Sequence, residues 1–600
     1  MKKTCSISKT HIWIAVSVLL AILLTVFVCI RLFSDKNTDI SSTEPNPTSN
    51  TQNELRLPDL LGTAKAIKSE LISALHDIKA SNWDAARSKL VSVQSNVVAV
   101  QAWFTRIPLL IDLVPQAENI RSLLDTADMA ISDILLPMID LMESRPLSSL
   151  KVANGFDAKL LCEYIAFAES VMPKLESCVK AAESVDFSII DSEGKIAEYL
   201  DTANQWLDFY QEYPESLSLF KAMLGQNENR LYLIAVQNPS EIRASGGFPG
   251  FMGTIRIEEG ILTLGEFSSV RNFLTNWTPK NVTITQEERS LFNYLSGIHT
   301  PRDADLCPNF ERVGLIWASS YEERHKESVA GVISVTPHIV QRFLAATGEE
   351  IQLSDGLVMN GDNATKVLIH DIYFKYFDRR EYYPNKYIVS DMLFAEAASK
   401  TMSTITDHIS ISRLMALLPI MKESISDRTL MLWMKDPQEQ DFAIRQGWSG
   451  GLNQDPQNPQ AGIYVNVVSA SKMGWFLLMD TEMGERTENP DGSYTYPITV
   501  TFTNNITQEE INAADTYISG GLGGSMRGVV YFFAPAGGSV DNFTASNGHK
   551  IKLSSYNGMT LGFMDQFLIR PNQPITVTYT VTTAPGVDTP LVFSKTPTAQ

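Results

Sequence analysis

The sequence predicts a multidomain α+β protein: one transmembrane helix, an extracytoplasmic helical bundle, an α/β domain and a C-terminal antiparallel β-sandwich. Three observations carry this. A charge-free apolar run stands near the N-terminus. Apolar residues then recur at spacings of three and four up to about residue 225, where strand and helix patterns begin to alternate. After Gly462 the helical period gives way to short β-branched and aromatic segments.

The apolar run, "IWIAVSVLLAILLTVFVCI" (Ile12–Ile30), has about the 20 residues that span a bilayer core. Lys2, Lys3 and Lys9 precede it, so the positive-inside rule puts residues 1–11 in the cytoplasm and makes 12–33 an uncleaved anchor. The expected location is the plasma membrane, single-pass, with the bulk of the chain outside the cytoplasm. Residues 34–57 are rich in Ser, Thr, Asn and Pro without periodic apolar positions, which reads as a flexible linker.

Residues 58–226 read as a helical stalk or bundle. Leu60, Ala64, Ile67, Leu71, Ala74 and Ile78 share one helix face, and similar patterns follow at 83–104, 117–142, 158–179 and 196–210. Residues 227–460 read as an α/β domain. Its strand candidates are 231–236, 253–258, 261–267 and 331–335, and its helix candidates 338–346, 364–377, 390–405 and 412–425. Residues 461–590 read as the sandwich, through "TYPITVTFTNN", "GVVYFFAP" and "QPITVTYTVTT", and 591–600 as a loose tail.

Composition excludes some classes. A formal charge of −19 argues against nucleic-acid binding, which needs a basic footprint. Of the five cysteines, Cys162, Cys178 and Cys307 follow the anchor. Cys162 and Cys178 lie in one helical pattern, too far apart along a straight helix to bond, so they read as buried thiols. No H-E-x-x-H or paired-cysteine spacing marks a metal site.

The most unusual stretch is "NPSEIRASGGFPGF", Asn238–Phe251, which follows an apolar strand. One reading makes it an anion site: Gly246 and Gly247 let a ligand approach the backbone, and Arg243 adds a guanidinium fork. The other makes it a turn, with Glu241 and Arg243 paired across the loop and Phe248 and Phe251 capping the core. Asp303 and Asp305 in "PRDADLCPNF" could share Mg2+, though carboxylates in a solvated turn are the commoner reading of such a loop. Arg379 and Arg380 in "DRREYYPNK" form either a cationic helix end or part of an anion site. "GWSGG" (Gly447–Gly451) matches G-x-S-x-G, but a loop rather than a helix follows Ser449.

The stretch "YLIAVQNPSEIRASGGFPGFMGTIRIEEGILTL", with "DADLCPNF", "VAGVISVTP", "LMLWMKDPQEQ", "GWSGGL" and "VNVVSASKMGWFL" in order, resembles a bacterial envelope family, domain of unknown function 4012. More distantly, the α/β domain is similar to the LytR-CpsA-Psr phosphotransferases. Arg243 sits where the first arginine of that family's R-x-x-S-D-T loop would be, with Gly246 and Gly247 replacing Ser-Asp. Arg271 sits at the arginine of P-R-D, followed by Asn272 instead of Asp, and a literal P-R-D stands at Pro301–Asp303. This resemblance implies a protein that binds or transfers a lipid-pyrophosphate-linked glycopolymer, with Arg243, Arg271, Arg379 and Arg380 on the pyrophosphate and Mg2+ on acidic residues. The substituted carboxylates imply the alternative, a non-enzymatic scaffold or adhesion module. Expected partners are the membrane and a lipid-linked glycan or cell-wall polymer.

Overall fold

The computed structural model describes scattered positions between 63 and 80, residues 82–105, 117–153 and 155–183, four positions between 204 and 210, and residues 211–407 and 411–600. The anchor expected at 12–33, its flanking segment 1–11 and the linker 34–57 lie outside the described residues. Among those described, no helix is long and apolar enough to cross a membrane. The longest, Ala158–Glu183, has the length but carries Lys159, Glu163, Glu169, Lys174 and further charges along it. This corrects the expected fold class to a mixed α/β one with several separate sheets, and the described residues supply no spanning helix for the expected single-pass plasma-membrane location.

The chain divides into two compact units, Met1–Val152 with Asp157–Gln226, and Ala153–Phe156 with Asn227–Gln600. The first is helical. Helix α1 (Trp83–Thr105) packs on α2 (Ala117–Ala130), which runs through a π-turn at Ile131–Leu135 into α3 (Leu136–Ser144); α4 (Ala158–Glu183) and α5 (Ser216–Met223) follow. Ile67, Leu71, Ala74 and Ile78 are buried with Leu90, Val93, Leu124 and Val179, so the three-and-four spacing marks the inward face. Leu60 and Ala64 of that stripe lie outside the described residues. Pro173 sits inside the continuous α4. Cys162 and Cys178 on that helix are free and buried.

The second unit is built on a mixed sheet of β1 (Arg230–Asn238), β2 (Phe248–Glu258), β3 (Ile261–Leu264), β4 (Gly331–Val335) and β5 (Leu430–Met434), in the order β3-β2-β1-β4-β5. Strands β1 and β4 are parallel, and the other neighbours antiparallel. Its longer helices are α6 (Phe310–His325), α7 (His338–Thr347), α8 (Lys386–Asp407), α9 (Ile411–Ser426) and α10 (Pro437–Arg445).

Two further sheets follow. One joins β6 (Gln460–Val467), β9 (Met526–Phe533), β11 (Lys552–Tyr556), β12 (Met559–Ile569) and β14 (Val592–Lys595); the other joins β7 (Leu477–Met483), β8 (Tyr494–Asn504), β10 (Ser539–Ala545) and β13 (Ile575–Thr582). Val465, Val530 and Phe532 of the first meet Val500, Val577 and Val581 of the second in one core. The opposite face of the first sheet, with Tyr464, Tyr531 and Phe533, packs on Phe292, Phe310 and Trp317 of the preceding domain. A sheet buried on both faces reads as a continuous apolar run, which is why "GVVYFF" shows no alternation. The segment 591–600 is not loose: Val592–Lys595 pairs parallel with β6, and Thr596 is buried.

Candidate functional site

The loop after β1 is held by its own sequence. Asn238 Oδ1 caps a 3-10 turn at Pro239–Glu241, accepting from Ser240 N at 3.0 Å. Gly246 has φ +121°, and a Cβ at Gly247 would stand 2.3 Å from Asn238 O. Both positions therefore require glycine for the turn itself.

Most of the loop is zipped to the sandwich. Val467 N donates to Ile242 O at 3.2 Å, Ala244 N to Asn466 Oδ1 at 2.8 Å, and Thr596 Oγ1 to Ala244 O at 3.0 Å. Ser245 N donates to Asp305 O at 3.1 Å. Arg243 is 2% exposed; its Nη1 donates to Val467 O at 3.2 Å and its Nη2 stands 3.7 Å from Asp303 Oδ1. Asp305 is wholly buried 4.0 Å from Arg243 Nε, and burial pushes its carboxyl well above the usual range. Asp303 also faces Arg302 at 3.5 Å. These carboxylates answer arginines, and among the described residues no three His, Cys, Asp or Glu side chains gather to hold a metal ion.

The four arginines expected at an anion site do not meet. Arg243 points into the domain junction. Arg271 is exposed on the short helix Val270–Phe273. Arg379 binds Ala513 O through its backbone and Asn512 O through its side chain, and Arg380 closes on Asp378. Nor does the G-x-S-x-G match form a nucleophile: Ser449 is buried and donates to Glu311 Oε1 at 2.9 Å.

A cavity of about 130 Å3 opens instead beside the loop. Val236, Gln237 and Asn238 at the end of β1 line it, as does Pro337, two residues past β4. It thus lies outside the carboxyl ends of the two parallel strands, where open α/β sheets place ligands. Phe248, Gly250 and Phe251 form another wall, so both phenylalanines of the loop line a hollow, and Phe248 also packs against the buried core. None of Arg243, Arg271, Arg379 or Arg380 lines it.

Its polar groups come from far along the chain. Lys472 is 3% exposed and donates to Glu241 Oε1, the partner that Arg243 does not provide. Its Nζ lies 4.1 Å from the Tyr373 ring centre and 5.2 Å from that of Tyr517, so a cation–π seat is already filled from within. The Lys472 backbone is fixed by Ile518 O at 3.1 Å, and the helix carrying Tyr517 is capped by Asp515. Tyr373 follows a π-turn at Val367–Asp371, and its hydroxyl accepts from Asn238 Nδ2 at 3.1 Å. Burial pushes the Tyr373 and Tyr517 hydroxyls well above the ordinary phenol range. Asp391 and Tyr387 on α8 form the outer rim. Desolvation by the pocket walls raises the Asp391 carboxyl, against an opposing pull from Lys472. The walls carry Glu241, Asp391 and Lys472 as their charged side chains, a net charge of −1 with both carboxylates ionised.

Residues 227–373 match the family model described as "Protein of unknown function (DUF4012)". This part of the chain is a DUF4012 region. It contains the loop and one side of the pocket, ending at Tyr373; the rim on α8, Lys472 and Tyr517 lie beyond the matched segment. No curated protein and no solved structure matches the chain. Lys472, Tyr373, Tyr517 and Asp391 are absent from the sequence-based site. The only signal for them was a lysine standing alone in the apolar "VNVVSASKMGWFL".

Proposed function

We propose that this chain is a glycan-binding protein whose pocket seats one sugar ring. The observation that carries the reading is the composition of the cavity at the ends of β1 and β4. Phe248, Phe251, Phe394 and Tyr373 supply aromatic walls, and Asp391, Asn238 and Glu241 supply hydrogen-bonding groups. The C–H face of a pyranose carries partial positive charge and suits the negative face of aromatic rings. Its hydroxyls suit carboxylate and amide acceptors placed among them. A cavity of about 150 Å3 admits a benzene ring; this one measures about 130 Å3 and is open on one side, so it takes one face and edge of a sugar ring and leaves the rest at the mouth.

The charge distribution favours the sugar part of the expected glycopolymer over its pyrophosphate. The one lining cation, Lys472, is already paired with Glu241, and Asp391 would repel an anion. Binding without a chemical step is the simplest form of this reading, close to the scaffold alternative. The test is calorimetric titration of the full chain with a panel of neutral and amino sugars and their oligomers, against sodium pyrophosphate. Saturable sugar binding that is lost in Phe251→Ala and Asp391→Ala supports the proposal. Pyrophosphate binding with no response to any sugar overturns it.

A further inference from the structure

The glycines of the loop divide into two kinds. Gly246 and Gly247 serve the turn, as their geometry requires. Gly250 does not: its φ is outside the left-handed region, and a Cβ added there meets only Phe248 Cδ1, at 4.0 Å. The added atom would stand in open space, and Gly250 is a wall of the cavity.

A second observation concerns the same spot. Val236 pairs with Phe251 and Asn238 with Phe248, so Pro249 and Gly250 together face the single residue Gln237. This is a β-bulge, a device that bends a strand and re-aims its side chains beside functional sites. Gln237 is locked in place behind it. Its Nε2 donates to Gly247 O at 2.9 Å and its Oε1 accepts from Ser334 Oγ. The bulge cannot relax inward, and Pro249 fixes its φ.

We infer that Gly250 is the specificity-determining residue of the pocket: the ligand ring packs against its bare backbone, and any side chain there shortens the seat. The ring-sized limit comes from the proposed function, on which the inference rests; the room over Gly250 is independent of what fills it. Ligands bearing a bulky substituent on that edge are excluded, and unsubstituted rings are admitted.

Two variants of the full chain test this, Gly250→Leu and the milder Gly250→Ala, with N-acetylglucosamine, glucose and phenol as probes. Phenol is a single polar ring that reports on room alone. Melting temperatures should match the parent, whereas Gly247→Ala should lower it. Gly250→Leu should lose all probe binding, and Gly250→Ala should weaken it by about tenfold, a difference of about 1.4 kcal/mol. Should the leucine variant fail to fold, the alanine variant decides alone. Phenol bound by the parent and lost in the variants, with no sugar bound, would sink the glycan reading and leave the size gate standing. Probe binding undiminished in both folded variants would overturn the gate, and a parent that binds none of the three would overturn both.

Discussion

Replacing Arg243 with alanine separates the two answers to the Asn238–Phe251 loop. The side chain is 2% exposed and holds the α/β domain to the sandwich through Val467 O. A hydrogen bond from a charged donor contributes about 1.5–3 kcal/mol, and each buried methylene of its stem about 0.8 kcal/mol. Its loss leaves Asp303 and Asp305 buried without their shared guanidinium, the situation that costs about 3–5 kcal/mol in buried pairs. These terms overlap, and removing a desolvated charge offsets part of them, so the expected loss is about 3–5 kcal/mol. That is a large share of a stability of about 5–15 kcal/mol. Urea denaturation followed by circular dichroism measures it. The control is Arg271→Ala, exposed on its short helix, expected within about 0.5 kcal/mol of the parent. Arg243→Met combined with Asp303→Asn should recover part of the loss, with a coupling of about 1 kcal/mol or more. If Arg243→Ala is as stable as Arg271→Ala and only ligand binding falls, the arginine is a clamp and the structural argument is wrong.

Three other outcomes are expected. His338, bonded to Thr336 at 2.9 Å, is held down to about 4 by burial beside Arg342. Its folded pKa lies below the unfolded one, so the unfolded chain takes up the proton first. Stability is fully present above about pH 6.5 and is lost as pH falls toward 4, by at most about 3 kcal/mol; a denaturation midpoint as pH-dependent in His338→Gln as in the parent would refute this. Asp391 should titrate above the ordinary carboxylate range by carbon NMR, and Lys472→Met should raise it further by removing the nearby positive charge; a midpoint unmoved in that variant would place the lysine elsewhere. Deleting residues 591–600 removes a strand paired with β6 and the Thr596 bond to Ala244 O. It should lower the melting temperature of the second unit, and an unchanged melt would contradict the pairing.

What could be read from the sequence follows from how local each signal is. Strand Gly331–Val335 stands at the bounds its β-branched run suggests, because a short buried strand between loops needs nothing else. Strand Leu430–Met434 escaped notice, since "LMLWM" has no β-branched residue and fits a helix equally well. Helix Phe310–His325 was hidden by burial on several sides, with Gly314 packed where its Cβ would meet Trp433 at 2.4 Å. Asp303 and Asp305 read as a solvated turn because burial is invisible without the sandwich that covers them. The loop's oddity was legible, but not its meaning. Glu241 and Lys472 are 231 positions apart, and pairing over such a distance leaves no mark on either neighbourhood.

The most direct test of the central claim is a crystal structure of the full chain soaked with a sugar that binds in solution. A ring seated between Phe251, Tyr373 and Asp391, packed on Gly250, is the predicted result. A bound sugar on any other surface, with this cavity filled only by water, would contradict it.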